Sequence, residues 1–233
     1  MASDQRPPNR LLQTLSAADF ELARLHLQDV QIDRGDLLVQ AGQALTHVYL
    51  PHSAIISIVV SLSEGQAVEV AMIGRDGIVG ASEALCDGIS LTDAVVLCPG
   101  RASVLAAADL KALAAQSAAW RHLLARHEQA LLAQAQQSAA CNAAHSVEER
   151  LSRWLLRARE LWDGETLPMT QELLARMIGV QRNAVSIVAH ALQQAGVLGY
   201  SRGQIEILDV NALRATACEC YHAVHTKQAH LFK

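Results

Sequence analysis

The polar residues of the stretch QRNAVSIVAHALQQA (181–195) recur at a spacing that could read a nucleic acid. In a helix, four of them share one face: Arg182, Asn183, Ser186 and His190. Arginine can donate two hydrogen bonds to guanine, and asparagine can pair with adenine in the same way. Such a face could therefore contact base edges in the major groove of DNA, provided that neighbouring elements hold the helix in place.

The residues around this face predict a helix–turn–helix. Thr170 can cap a first helix that runs to residue 178, and Gly179 can supply the left-handed turn after it. The small Ala175 lies where the two helices would cross. Apolar residues at helical spacing form the expected shared core: Leu174, Ile178, Val180, Val185, Val188 and Leu192. After Gly196, VLGYSRGQIEIL predicts two short strands around a Ser-Arg-Gly turn, which is typical of a wing.

Composition and charge narrow the class of protein. The 233 residues are 51% hydrophobic and 18% charged, so disorder is not expected, and no apolar run is long enough to predict a membrane span. The N-terminus MASDQRPPNR lacks the apolar segment of a signal peptide. The five cysteines form no CxxC pair, which favours a reducing cytoplasm. The formal net charge is −4, but residues 145–233 hold ten Lys and Arg against nine Asp and Glu, so the charge does not exclude DNA binding.

Three regions of the chain differ in residue composition and pattern, and we place their boundaries at 1–116, 117–144 and 145–233. In the first, short runs rich in Val, Ile and Leu are separated by glycines. Two of these runs, AIISIVVSL (54–62) and AVEVAMI (67–73), with SEG between them, predict an antiparallel strand pair in a small sandwich or barrel. The third region opens with a capping box, Ser146 and Glu149, and its first helix carries two of the three tryptophans, which predicts a compact second domain.

The alanine-rich region 117–144 predicts one long helix. Its stripe repeats at steps of three and four residues: Trp120, Leu123, His127, Ala130, Gln134, Gln137 and Cys141. Since residues 1–105 predict no helix of comparable length, we expect this stripe to pair with a second copy of the chain in a coiled-coil seam. The alternative is a helix packed on its own domain.

A glycine-punctuated β-region, a long helix and a winged helix, in this order, resemble the Crp/Fnr family of bacterial transcription regulators. The resemblance covers nearly the whole chain and is most specific within 148–205, in EERLSRWLL and LLARMIGVQRNAVSIVAHALQQAGVL. It implies an α+β fold with an N-terminal double-stranded β-roll of the jelly-roll type, a dimerisation helix and a C-terminal winged helix–turn–helix. It further implies a homodimer on a roughly palindromic site in double-stranded DNA, with RNA polymerase as a partner and no enzymatic activity.

The resemblance also suggests which residues contact DNA. The family's recognition helix commonly carries Arg-Glu and a second Arg four residues after the Glu. Here Arg182 matches, whereas Asn183 and Ile187 replace the other two, so the target sequence should differ from that of the best-known members. Other positions match contacts to phosphates or to their surroundings: Thr170, Gln171, Gln181, Ser201 and Arg202.

The family's cyclic-nucleotide pocket has a Gly-Glu-Leu step and, further on, an Arg-Ser or Arg-Thr pair. The corresponding residues here are Gly80, Ala81, Ser82, Leu91 and Thr92. The glutamate and the arginine are thus missing, and we expect Asp87 and Asp93 to add negative charge where a cyclic phosphate needs a cation. We therefore expect neither a cyclic nucleotide nor another cofactor. Iron–sulfur sensing by the family's oxygen responders needs clustered N-terminal cysteines, whereas the first cysteine here is Cys86, so we do not expect such a cluster.

The tail CECYHAVH contains a weak metal candidate. Cys218, His222 and His225 follow an i, i+4, i+7 spacing, which a continuous helix would place on one face. The spacing matches no structural zinc motif, so a packed or solvated terminal helix without a metal is the preferred interpretation. Two other functions stay open: a cupin-like metal enzyme, although HVYLPH (47–52) lacks the His-x-His spacing, and a DNA-binding scaffold that responds to no effector.

Overall fold

The computed structural model describes residues 6–63 and 66–232. It confirms the α+β class: an N-terminal β-domain, a long helix and a C-terminal helix–turn–helix domain follow one another along the chain. None of the described helices combines the length and the apolar character that a membrane crossing requires.

The N-terminal domain consists of two antiparallel sheets behind a short helical entry. The sheets have the strand orders β1-β7-β3 and β2-β6-β4-β5, and the core between them includes Ile32 and Ala102 from one sheet and Ile56 and Val96 from the other. This is the β-roll that the family resemblance implies, and it agrees with the small sandwich or barrel that the glycine-separated runs predict. The elements are α1 (Arg10–Thr14), α2 (Ala17–Arg24), β1 (Gln28–Ile32), β2 (Leu37–Val39), β3 (His47–Pro51), β4 (Ile55–Ser61), β5 (Ala67–Ile73), α3 (Ala81–Leu85), β6 (Asp93–Cys98) and β7 (Gly100–Ala106).

Strands β4 and β5 form the expected antiparallel pair. Their β-branched residues favour the pleated backbone, and the register pairs Ile56 with Ile73, with a bulge between Ile58 and Val59. The expected turn at 63–65 falls partly on positions 64 and 65, which lie outside the described residues.

Two helices lead out of the β-roll, α4 (Ala107–Gln116) and the 27-residue α5 (Ala118–Ala144). The expectation that the stripe of α5 pairs with a second chain is wrong for five of its seven positions, because Trp120, Leu123, His127, Gln134 and Cys141 are buried within the chain. The buried residues of α5 are Trp120, Leu123, Leu124, His127, Gln134, Ser138 and Cys141.

The stripe of α5 is covered by several short elements of the same chain. Helix α4, strand β5 and the C-terminal helical segment all pack against it. Its polar members also find partners elsewhere in the N-terminal domain, because His127 Nε2 accepts a hydrogen bond from Ile78 N at 3.2 Å and Trp120 Nε1 donates to Asp19 O of α2 at 3.0 Å. The partner surface of α5 is assembled from several short elements of the same chain, so the absence of one long partner helix in the sequence did not reveal it.

The C-terminal domain contains the elements of a winged helix. They are α6 (Val147–Leu161), β8 (Thr166–Leu167), α7 (Gln171–Ile178), α8 (Arg182–Gln194), β9 (Leu198–Ser201), β10 (Gln204–Ile207), α9 (Val210–Thr216), α10 (Cys220–Ala229) and a 3₁₀ turn (His230–Phe232). The capping box is formed as expected: Ser146 Oγ accepts from Glu149 N, and the Glu149 carboxylate accepts from Ser146 N at 2.8 Å. The chain after α9 runs back along α5 as a segment, residues 217–232, that we call the C-terminal strap.

The β-roll and the helix–turn–helix domain share a hydrophobic core. Ile55, Met72 and Leu97 of the strands belong to the same buried cluster as Trp154 and Leu155 of α6. At its edge, Arg157 Nη2 lies 2.7 Å from Asp76 Oδ2, in an ion pair whose two side chains are both nearly buried. The helix–turn–helix therefore packs directly on the sheet.

Candidate nucleic-acid interface and effector pocket

The turn between α7 and α8 is built from local interactions that the sequence encodes. Thr170 caps α7, because its side chain accepts a hydrogen bond from Leu173 N at 3.1 Å. Gly179 adopts φ +66°, the left-handed conformation that favours glycine, and Val180 N then donates to Ala175 O at 2.9 Å. The predicted shared core is confirmed. Leu174, Ile178, Val185 and Leu192 are buried, and Val180 and Val188 are partly buried beside them.

The outer face of α8 carries most of the predicted reading residues. Arg182, Asn183, Ile187 and His190 are exposed, as is the N-cap residue Gln181, and the Ile187 side chain keeps 72% of its surface exposed. An isoleucine so exposed at the centre of a helix has an apolar surface that the described part of the chain leaves uncovered. A thymine methyl group is one contact that would cover it.

The Ser186 side chain is less available for a contact with DNA than its position in the sequence predicts. Its hydroxyl donates to Gln171 Oε1 at 2.7 Å, so the two side chains that we predict to face DNA bind each other. This pair links the first turn of α8 to the start of α7. Gln171 N in turn donates to the Tyr200 hydroxyl at 3.3 Å, which connects α7 to strand β9. The sequence analysis did not single out Tyr200, whose only signal is a tyrosine in a short wing strand.

The wing forms around the predicted turn. Strands β9 and β10 are joined by Arg202 and Gly203, whose φ angles of +49° and +76° are those of a two-residue hairpin turn. Ser201 and Arg202 are exposed at its tip, and Gly203 lies against Thr170 at the start of α7. A third strand, β8, pairs with β10 and was not predicted, because two residues are too few to produce a sequence pattern. Arg176 on α7 is also exposed, and the sequence analysis did not single it out.

The region that corresponds to the cyclic-nucleotide pocket is narrow and acidic. Gly80, with φ +88°, begins α3, and the space beside Gly80, Ser82 and Thr92 measures about 30 Å³. Ligand pockets are typically about 300 Å³ or larger. Ala81 is buried and faces the N-terminal core, away from this space.

A wider open hollow of about 530 Å³ lies between α3, the 86–92 loop and α5. Leu91, which is 86% exposed, and Thr92 line it together with Glu83, Asp87 and Glu128. Among the residues that the structure describes, no lysine or arginine lines either space.

One part of the expected charge arrangement is wrong. Asp93 does not point into the pocket, because its Oδ1 accepts from Ala41 N at 2.8 Å and its Oδ2 accepts from Ser61 Oγ at 2.7 Å. Asp87 does line the wider hollow, and Glu83 and Glu128 take the place that we expected for Asp93. The acidic side chains that line the wider hollow are thus Glu83, Asp87 and Glu128, instead of the expected pair Asp87 and Asp93.

The predicted one-face arrangement of Cys218, His222 and His225 is not formed. Helix α10 begins only at Cys220, so Cys218 precedes it and is buried, whereas His222 and His225 are exposed. The spacing i, i+4, i+7 has meaning only within a continuous helix, and the chain is not helical between Thr216 and Cys220.

Comparison with known proteins agrees with this architecture. A cyclic nucleotide-binding domain model matches residues 29–117, and a Crp-like helix-turn-helix domain model matches residues 149–216. Curated proteins gave no match to the sequence.

Solved structures of similar fold come from several bacteria. A putative Crp/Fnr-family transcriptional regulator from Eubacterium rectale aligns with TM-score 0.70 and 18% identity over 88% of this chain and 96% of its own. FixK2 from Bradyrhizobium japonicum aligns with TM-score 0.70 and 16% identity over 82% and 98%. TTHB099, a CRP-family regulator from Thermus thermophilus, aligns with TM-score 0.68 and 19% identity over 81% and 96%.

A β-roll of the cyclic nucleotide-binding type followed by a Crp-like helix–turn–helix defines a class of transcription regulators that bind DNA. Within this class, the chain belongs to the Crp/Fnr family.

Proposed function

We propose that the protein acts as a homodimer that reads a roughly palindromic operator with helix α8. The observation that carries this proposal is the exposed row of Arg182, Asn183 and Ile187 in the first half of α8, on a helix whose opposite face is buried in the shared core. The arginine fork suits guanine and the asparagine amide suits adenine. Two such helices related by a two-fold axis would enter successive major grooves, about 10–11 base pairs apart.

Arg182 and Arg202 should differ in what they contribute to binding. Arg182→Ala should cost roughly 1–3 kcal/mol at the cognate site and relax the preference at one base pair of each half-site. Arg202→Ala, on the wing, should weaken binding to all sequences equally and reduce the salt slope by about one phosphate contact.

The measurement is an affinity titration of both variants on matched and single-mismatch duplexes at two salt concentrations. A uniform loss on every duplex for Arg182→Ala would remove the base-reading role from this residue. If neither variant bound a selected duplex less tightly than the wild type, the interface itself would be misplaced.

A different face of α5 supports the dimer. Six positions at alternating steps of three and four residues are exposed: Ala125, Gln129, Leu132, Gln136, Ala139 and Ala143. This is the spacing of a coiled-coil seam, and its small side chains would allow two helices to approach closely. The seam that we propose thus lies opposite the stripe, which is buried within the chain.

The pocket favours an effector other than a cyclic nucleotide, or none. The cyclic phosphate needs a cation in a desolvated site, whereas Glu83 and Glu128 are the charged groups here. Calorimetry with cyclic AMP and cyclic GMP should give no measurable heat of binding, and micromolar affinity for either would overturn this proposal.

The DNA-binding scaffold without an effector is the second candidate function. RNA polymerase remains the expected partner once the protein is bound at a promoter.

A further inference from the structure

Three cysteines and one histidine converge where the long helix α5 ends. Cys141 and His145 lie one turn apart, because His145 N donates to Cys141 O at 3.1 Å at the last turn of α5. Cys218 and Cys220 arrive from the start of the C-terminal strap. One ligand atom from each residue lies within 4.8 Å of the other three. The cysteines are buried, and His145 is mostly buried. Among the described residues this is the one such group of potential metal ligands.

Two distances within this group match those between the ligands of a tetrahedral metal site. Four ligands around zinc, at about 2.3 Å for sulfur and about 2.0 Å for nitrogen, stand about 3.5–3.8 Å from one another. The Sγ atoms of Cys141 and Cys218 are 3.5 Å apart, and Cys220 Sγ lies 3.6 Å from His145 Nδ1. Three sulfurs and one imidazole nitrogen form a common donor set of structural zinc sites.

Hydrogen-bond partners of His145 and Cys220 orient these two side chains in the way that outer partners orient the ligands of a metal site. His145 Nε2 lies 3.2 Å from Glu219 Oε2, so the carboxylate can hold the proton on Nε2 and leave the Nδ1 lone pair facing Cys220. Gln137 Nε2 donates to Cys220 Sγ at 3.1 Å. A metal-bound imidazole usually donates the N–H of its second ring nitrogen to a carboxylate or a similar acceptor.

Two arginines of α6 complete the surroundings of the cluster. Arg150 and Arg153 lie close enough to Cys141 to interact electrostatically with its sulfur. Three thiolates and one divalent cation carry a net charge of about −1, which a nearby guanidinium would offset. A disulfide between Cys141 and Cys218 would use two of the four groups. It would not explain why the side chains of His145, Glu219 and Cys220 converge at the same place.

We propose that Cys141, His145, Cys218 and Cys220 bind one structural zinc ion. The site would tie the C-terminal strap to the junction of α5 and α6. Arg150, which interacts electrostatically with Cys141, donates through Nη2 to Ile178 O at the end of α7, so it connects the surroundings of the site to the helix–turn–helix. Zinc would therefore help to fix the orientation of α8 relative to α5. This second part rests on the proposed function, whereas the metal site itself does not.

Metal content tests the site directly. Full-length protein purified with a reductant and without added chelator should contain about one zinc per chain by elemental analysis. After removal of the metal, titration with Co²⁺ should produce thiolate-to-cobalt charge-transfer absorption that saturates at one equivalent, and Zn²⁺ should displace it.

The variants Cys218→Ser, Cys220→Ser and His145→Ala should each lower the zinc content at least about tenfold, because each removes one of four ligands. The matched controls Cys86→Ser, at an exposed cysteine outside the cluster, and His222→Ala, in the same strap, should keep the full zinc content. Circular dichroism would identify a variant that loses its fold, and the cobalt titration of the wild-type chain needs no variant.

Three results would overturn the site: no zinc together with no cobalt charge transfer, iron in place of zinc, or a Cys141–Cys218 disulfide in protein prepared under reducing conditions. The coupling to DNA has its own outcome. Stripped protein should bind a selected operator at least about tenfold more weakly and should recover with zinc. Unchanged DNA binding after stripping would refute the coupling and leave the site standing. A zinc-loaded protein that binds no DNA would instead refute the proposed function.

Discussion

Among single residues, Glu69 in strand β5 bridges the two domains. Its Oε1 accepts from Trp154 Nε1 of α6 at 2.8 Å and its Oε2 accepts from Ser57 Oγ of β4 at 2.7 Å. Burial raises the pKa of this carboxyl to about 7, although these two hydrogen bonds and the charges of Arg153 and Arg157 lower it. The interface between the β-roll and the helix–turn–helix thus contains a group that titrates near neutral pH.

The stability of the protein should depend on pH through Glu69. Because its pKa in the folded chain lies above the ordinary value of 4.5, the folded state holds this proton longer than the unfolded state. The contribution is full below about pH 4.5 and is lost as the pH rises through about 7. Glu69→Gln cannot ionise, so at pH 8 it should unfold with a free energy roughly 1–3 kcal/mol higher than the wild type.

Denaturant titrations at pH 5, 6, 7 and 8 would measure this difference, with the exposed Glu165→Gln as the control. The gain from Glu69→Gln should grow with pH, whereas the control should follow the wild type. A gain that is constant across the series would mean that the carboxyl of Glu69 does not titrate in this range.

At the scale of elements, helix α5 has two functional faces. One is buried against its own chain, and the other carries the proposed seam, whose largest apolar side chain is Leu132, 60% exposed. Leu132→Glu should place two carboxylates at the centre of the seam and yield monomers, which would bind a palindromic operator about 100-fold more weakly or worse because the half-sites no longer act together.

Light scattering of the Leu132→Glu variant would show the change in mass. Leu25→Glu is the control, since Leu25 is 81% exposed on the N-terminal helical entry and lies outside α5. A dimeric Leu132→Glu protein would exclude this seam. Charged residues at 123 and 124 would give no information, because both leucines belong to the core of the chain.

The sequence predicted the elements whose signals are local. A cap at Thr170, a left-handed residue at Gly179 and apolar spacing over residues 174–192 specify a helix–turn–helix without reference to the rest of the chain. Contacts between distant residues were not predictable in this way. Cys141 and Cys218 meet only because the strap returns along α5, and Glu69 meets Trp154 only because the domains share a core. The spacing of Cys218, His222 and His225 has meaning only in a continuous helix, and the chain is not helical directly before Cys220.

At the scale of the whole molecule, the C-terminal strap crosses all three regions. It begins in the cysteine cluster beside α6, packs along α5 and ends in the N-terminal core, where Leu231 is buried together with Leu11 and Leu12. The Arg10 guanidinium lies 3.9 Å from the centre of the Phe232 ring. With the core that joins Ile55 to Trp154, this leaves neither domain with a complete interior of its own.

This path of the strap has a consequence for how the protein folds and opens. Contacts between α1 and the 3₁₀ turn at the end of the strap close a loop that spans nearly the entire sequence, so they form only after the chain has lost most of its conformational entropy. The strap should therefore dock late in refolding and detach first in native-state fluctuations. Hydrogen exchange should find the amides of α10 less protected than those of β4. Equal protection in both would mean that the molecule opens only as a whole.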